Sequence, residues 1–312
     1  MQNFIGIDIG GSKIDGLLLN REGLILAEHR QPTAAHEGPE ALTARVAEAV
    51  KHLSAAGPLA GIGIGCPGHV DSRGGVVREA VNLGWHEWPL REHLQSLLHT
   101  PPPIALANDV NAAALGEWQF GGRPESLLYL AIGTGLGGAA ILGGKLVEGA
   151  GQFAMEIGHW AMTPGGRACK CGLQGCPEAY LSGVGLAAAL AEKAPDYPAS
   201  DLTPPPAPEQ TTAAILTAAR AGDPLGLAIM EDAALTLARL LAASASFYNP
   251  QCIAIGGGLG LAAADLLLAP AVELLKDFVL PPAYAGLEVK TASVARIAIG
   301  AACLAFPEHQ ST

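Results

Sequence analysis

Positive charge is scarce in this chain. Lys and Arg number 18 against 29 Asp and Glu, for a formal net charge of −11. A nucleic-acid partner asks for a basic face, so this balance argues against one. Charge of either sign is thin, at 15%, while half of the 312 residues are hydrophobic. That is enough to bury a large core over two domains or one duplicated one. No membrane span is expected. The uncharged stretches 127–144 and 240–264 reach the length, but the first carries six glycines and the second is broken by Asn249-Pro250-Gln251 and Gly256-Gly257-Gly258. No targeting segment is expected either, because Met1-Gln2-Asn3 runs straight into an apolar strand pattern. The six cysteines are even in number, yet a long chain read as cytoplasmic is reduced, so disulfides are not expected. Cys66, Cys252 and Cys303 are scattered in apolar surroundings and read as buried, inert thiols.

What is present is a set of glycine turns after apolar strands. The chain opens with a strand over 4–9, the turn Gly10-Gly11-Ser12-Lys13, a strand over 14–19 and a third over 24–30. A helix pattern covers about 37–56. Short apolar strands follow at 61–66, ending at Pro67-Gly68, and at 104–107, ending at Asn108-Asp109, with a helix from near Asn111. The opening then repeats: a strand over 127–132, the turn Gly133-Thr134-Gly135-Leu136-Gly137-Gly138, and a strand over 139–142. Aligning Ile7-Asp8-Ile9-Gly10 with Leu130-Ala131-Ile132-Gly133 suggests two related lobes. The proline-rich stretch 194–208 reads as a loop, and Asp223-Pro224 as the cap opening a long helix to about Phe247. A strand over 252–255 ends at Gly256-Gly257-Gly258, and an apolar helix near 294–306 closes the chain.

Glycine lets backbone N–H groups approach phosphate oxygens, and successive N–H groups make an anion-binding concavity. Three such turns after three strands point to a nucleotide. Gly133-x-Gly135-x-x-Gly138 also matches the dinucleotide fingerprint, but that needs a helix after the turn and a β-like run follows. No P-loop sequence occurs. Asp109 lies just past a strand end, where open α/β sheets place ligands. A carboxylate there can take the proton of a substrate hydroxyl as it attacks phosphorus, or it can be an ordinary helix cap. Asp8, beside the first turn, could orient the hydration shell of Mg²⁺ or hold the turn. His159, Cys169, Cys171 and Cys176 make the donor set of a closed structural zinc site, bracketed by Glu156 and Glu178.

On these motifs the chain resembles the ROK family of sugar kinases and sugar-responsive repressors, and within it the ATP-dependent glucokinases. The resemblance spans nearly the whole chain. Asp8-Ile9-Gly10-Gly11-Ser12-Lys13 and Gly133 to Gly138 look like its two phosphate motifs. Asn108-Asp109 looks like its sugar and catalytic motif, and Gly256-Gly257-Gly258 like its adenosine motif. Glu156-Ile157-Gly158-His159 with the three cysteines looks like its zinc signature. The resemblance implies an α/β, duplicated ribonuclease-H-like (actin-like) fold with sugar and MgATP in an interdomain cleft. The implied smaller lobe is 1–117 with about 296–312, and the larger one 118–295. It implies Asp109 as the base at a hexose 6-hydroxyl, and Asn82, Asn108, Glu156, His159 and Glu178 as hydrogen-bonding partners of the sugar. Glucose is the first substrate implied, with N-acetylglucosamine and N-acetylmannosamine as competitors, and a homodimer or dimer of dimers as the assembly. A repressor would carry a helix-turn-helix ahead of the core, and the strand starting at Phe4 leaves no room for one. Two departures stand out: Met155 where the family has Gly before the acid of Glu-x-Gly-His, and Cys66 where it has an aliphatic residue.

Overall fold

A computed structural model describes residues 2–205 and 210–309. Pro206 and Pro208 of the expected proline loop, and 310–312 of the expected first lobe, lie outside the described residues. The chain divides into two compact units. One comprises Met1–Pro124, Ala139–Ala154 and Ser293–Thr312; the other comprises Glu125–Gly138 and Met155–Ala292. The segment 139–154 thus clusters with the first unit, where the sequence placed it in the second lobe.

The first unit opens with β1 (Asn3–Ile9), β2 (Lys13–Asn20), β3 (Ile25–Pro32), α1 (Pro39–Ser54) and β4 (Leu59–Cys66). Three short strands follow, β5 (His69–Asp71), β6 (Val76–Ala80) and β7 (Trp85–Trp88), then α2 (Leu90–Leu98), β8 (Ile104–Asn108) and α3 (Asp109–Phe120). The main sheet runs β3-β2-β1-β4-β8. The neighbours β1–β2 and β2–β3 are antiparallel, while β1–β4 and β4–β8 are parallel. Strands β1 and β4 are apolar and almost wholly buried, as strands covered on both faces must be. Edge strand β3 alternates half-buried and exposed. Helix α1 takes Pro39 at its first turn and buries Leu42, Val46, Ala49, Val50 and Leu53, one face at helical spacing.

The chain continues with β9 (Ser126–Ile132), β10 (Leu136–Leu142), β11 (Lys145–Leu146), α4 (Gly183–Lys193), α5 (Thr211–Arg220), α6 (Pro224–Phe247) and β12 (Cys252–Gly256). It ends with α7 (Gly258–Ala262), α8 (Ala264–Leu275), α9 (Pro281–Tyr284), β13 (Glu288–Thr291) and α10 (Ile297–Leu304). Asp223 caps α6, accepting from the N–H groups of Leu225 and Gly226. The second large sheet has the order β11-β10-β9-β12-β13. That repeats the first order strand for strand, with β9 in the place of β1, so the duplication expected from the sequence is real. Only the first copy carries an acid on this strand: Asp8 corresponds to Ala131.

The last helix belongs to the first unit. Helix α10 packs on β1, β4 and α3. A Cβ on Gly300 would collide with the Ala112 carbonyl oxygen, so glycine permits the α3–α10 crossing. Buried Glu117 of α3 ties down the entry to α10, accepting from the N–H groups of Ser293 at 2.8 Å and Val294 at 2.9 Å.

The three-stranded antiparallel sheet β5-β6-β7 and helix α2 had no expectation from the sequence. Several boundaries also differ by a few residues. The helix expected near Asn111 starts at Asp109, and the strand expected from residue 139 starts at Leu136.

Candidate active site

The first unit gathers candidate residues at the carboxyl ends of β1, β4 and β8. After β1, the Gly10 N–H donates to the Lys13 carbonyl at 2.9 Å. Buried Thr33 clips the same turn: its Oγ1 donates to the Gly10 carbonyl at 2.6 Å and its N–H to the Ser12 carbonyl at 3.0 Å. The N–H groups of Gly11 and Ser12 find no partner among the described residues, which leaves two adjacent donors for an anion. Lys13 lies beside them, exposed.

Asp8 stands opposite Asp15 in the β1–β2 register. Asp15 is neutralised by Arg30 at 2.8 Å and Arg296 at 2.6 Å. Asp8 has no ion pair among the described residues. Burial first, then the charges of Asp109 and Asp15, push its carboxyl up to about 7, against a small opposing pull from Lys13. Burial also raises the carboxyl of Asp109, although the N–H of Val110 at 2.9 Å partly stabilises its charge.

Asn108, not Asp109, caps α3. Its Oδ1 accepts from the Val110 N–H at 2.8 Å and the Asn111 N–H at 3.4 Å, and its Nδ2 donates to the Gly68 carbonyl at 2.9 Å. The Asn108 side chain also hydrogen-bonds the Asp109 carboxylate, which opposes part of the rise that burial causes. Asp109 occupies the first helical position, and its carboxylate has no ion pair among the described residues. Cys66 ends β4 level with Asn108, fully buried. Burial, then the charges of Asp109 and Asp8, hold its thiol well above the ordinary range, so it stays protonated. Asn82 sits in an exposed 3₁₀ turn over Val81–Leu83, after β6.

The second unit gathers a group of its own. After β9, the Gly133 N–H turns back to the Gly135 carbonyl at 2.9 Å, and the Leu136 N–H donates to Glu178 Oε2 at 2.9 Å. The N–H groups of Thr134 and Gly135 have no partner among the described residues, the same pair of free donors as in the first turn. Gly137 and Gly138 follow within β10. That strand is why the dinucleotide fingerprint fails here. Gly256 ends β12, Gly257 takes φ +79° and Gly258 opens α7, so the third turn is strand to helix.

His159, Cys169, Cys171 and Cys176 converge, with donor atoms all within 4.8 Å of one another. Cys169 Sγ is 3.7 Å from His159 Nδ1, and the sulfurs of Cys171 and Cys176 are 3.6 Å apart. A tetrahedral zinc with ordinary bond lengths sets S···S near about 3.8 Å and N···S near about 3.6 Å, so the four donors fit that ion. The other ring nitrogen, His159 Nε2, is 4.0 Å from Glu178 Oε2. Glu156 is exposed and starts the 3₁₀ turn Ile157–His159, its carbonyl accepting from the His159 N–H at 3.0 Å. Met155 holds φ +67°, the left-handed region that suits glycine.

Two supporting residues escaped the sequence reading. Thr33 lies far from the turn it clips. Ser182 caps α4, accepting from the Gly185 N–H at 3.0 Å, and a Ser before a helical run was a readable signal.

A duplicated strand order, with acids and free backbone donors at strand ends, defines the actin-like ATPase and hexokinase class of fold. The ROK family model matches residues 4–307, and the chain belongs to that family. A glucokinase of Halalkalibacterium halodurans is 33% identical over 301 residues, 93% of this chain and 90% of that one. An N-acetylmannosamine kinase of Escherichia coli is 34% identical over 266 residues, 85% of this chain and 86% of its own length. Among solved structures, a ROK family glucokinase from Streptomyces griseus in complex with glucose and AMPPNP superimposes with a TM-score of 0.78. It shares 31% identity and covers 97% of this chain and 98% of its own.

Proposed function

We propose that this protein is an ATP-dependent hexose kinase acting at the sugar's 6-hydroxyl, with glucose as its substrate. The observation that carries this is Asp109: a carboxylate just past the end of β8, without an ion pair among the described residues and raised by burial. A raised carboxyl is a better proton acceptor near neutral pH than an exposed aspartate. Asp109 takes the hydroxyl proton as the sugar oxygen attacks the γ-phosphorus. Asn82, Asn108, Glu156, His159 Nε2 and Glu178 hold the other hydroxyls. Gly11, Ser12, Thr134 and Gly135 offer N–H groups to phosphate oxygens, with Lys13 as a cation, and the turn at 256–258 takes the adenosine side.

Magnesium, when bound with ATP, neutralises phosphate charge, and Asp8 is the acid that would hold its hydration shell. The cysteine cluster is proposed as a structural zinc site. Four protein donors leave no open position, so the metal positions His159 and takes no part in the attack.

The likeness to N-acetylmannosamine kinases supports a second reading, an N-acetylhexosamine kinase using the same groups. Met155, beside Glu156, is where the two would differ. Asp109→Asn tests the common core. Turnover falls by roughly 10²–10⁴-fold, the usual loss for a general base, with the sugar KM little changed. Turnover near that of the wild type contradicts the assignment.

A further inference from the structure

We propose that Glu178, beyond serving the sugar, sets the nucleotide affinity of the glycine turn at 133–136. This rests on the kinase reading above. Glu178 Oε2 accepts the Leu136 N–H at 2.9 Å and stands 4.0 Å from His159 Nε2. The same oxygen lies over the turn so closely that a Cβ on Gly135 would come within 2.7 Å of it. The side chain is 20% exposed, so the bond to Leu136 is sheltered from competing water.

The backbone after Glu178 holds the rest of the turn. Ser182 Oγ donates to the Glu178 carbonyl at 2.7 Å. The N–H groups that open α4 then reach back: Gly183 donates to the Gly133 carbonyl at 2.8 Å and Val184 to the Thr134 carbonyl at 3.4 Å. Segment 178–184 therefore engages two carbonyls and one N–H of the turn. With the Gly133 N–H bonded inside the turn, only the Thr134 and Gly135 donors stay free. Their alignment is fixed by bonds on either side, and among the described residues Glu178 supplies the only side-chain one. Remove its carboxylate and the Leu136 N–H loses its partner, so the turn relaxes away from the geometry that presents the adjacent pair. Glu178 acts here as a positioning residue for phosphate, through the backbone and not by touching it.

The charge of Glu178 itself disfavours a nearby anion, so its value to the turn lies in being an acceptor. Glutamine keeps an acceptor and drops the charge, which separates the two effects. The test is titration calorimetry of the full chain with Mg·AMPPNP in the absence of sugar. Glu178→Ala weakens nucleotide binding by roughly fivefold, the cost of one hydrogen bond, while Glu178→Gln stays within about twofold of wild type. Glu231→Ala, which removes an exposed acid of α6, leaves nucleotide binding unchanged, and zinc content is the same in all four proteins. Wild-type nucleotide affinity in Glu178→Ala overturns the inference and leaves the kinase assignment standing. So does an equal loss in Glu178→Gln. A wild-type protein that binds no AMPPNP, with sugar or without, overturns the kinase assignment and this inference with it.

Discussion

Asp8 is the penultimate residue of β1 and Asp109 opens α3 beyond β8, and after burial it is the charge of Asp109 that most pushes the Asp8 carboxyl up, to about 7. An unfolded chain releases that proton near 3.8. Between those two values the folded protein holds more protons than the unfolded one. Stability therefore falls as pH rises through the window, and the penalty is complete above about 7. The site keeps an acid pair at a stability cost, as functional sites do.

Asp8→Asn in the ligand-free protein removes that cost. Its melting temperature should exceed wild type at pH 8 and lose most of the advantage at pH 4, with a ceiling of about 4 kcal/mol on the gain. Scanning fluorimetry at the two pH values checks it. An equal difference at both would show that the ionisation of Asp8 is not the cause.

Glu117 is 1% exposed and bonds the N–H groups of Ser293 and Val294. Glu117→Leu removes the acceptor of two part-buried N–H groups and should cost about 2 kcal/mol, with Glu117→Gln costing less. Urea denaturation midpoints measure both. A neutral leucine variant would mean that water or a shifted backbone satisfies those groups.

Cys171 is exposed at the rim of the cysteine cluster. Elemental analysis should find one zinc per chain in wild type and none in Cys171→Ser. Its sugar KM should rise further than its nucleotide KM, because His159 loses its anchor. Wild-type protein that is fully active without metal would remove zinc from the account.

Met155 holds a left-handed backbone that glycine adopts freely. Met155→Gly should leave the melting temperature nearly unchanged, since strain relief of about 1 kcal/mol is offset by glycine's greater unfolded entropy. Met155→Val should destabilise by about 1–2 kcal/mol and raise the sugar KM through neighbouring Glu156, because a β-branched residue resists this conformation. Unaltered stability in Met155→Val would indicate that the turn rearranges at no cost.

The parts of this site that the sequence disclosed were those written in local pattern. Apolar runs ending at glycines marked β1, β9 and β12. The cysteine spacing marked the convergent donor set, and the repeat marked the duplication. The rest depends on distant pairing. Strands β5 to β7 are three to five residues long, and β7 is Trp-His-Glu-Trp, so nothing local distinguishes it from a loop until Val77 meets Trp88. Asn108 and Asp109 are both cap formers, and only the Gly68 carbonyl, 40 residues away, shows which one is committed. The bond from Leu136 to Glu178 spans 42 residues with no trace in either local sequence.

The most direct measurement is a coupled ADP-release assay of the purified chain with MgATP across glucose, N-acetylglucosamine, N-acetylmannosamine, mannose, fructose and allose, with the phosphorylated position of the product identified. The account predicts sugar-stimulated ADP release, highest kcat/KM with glucose, and phosphate on the 6-oxygen. ADP release at the same rate with and without every sugar would contradict it.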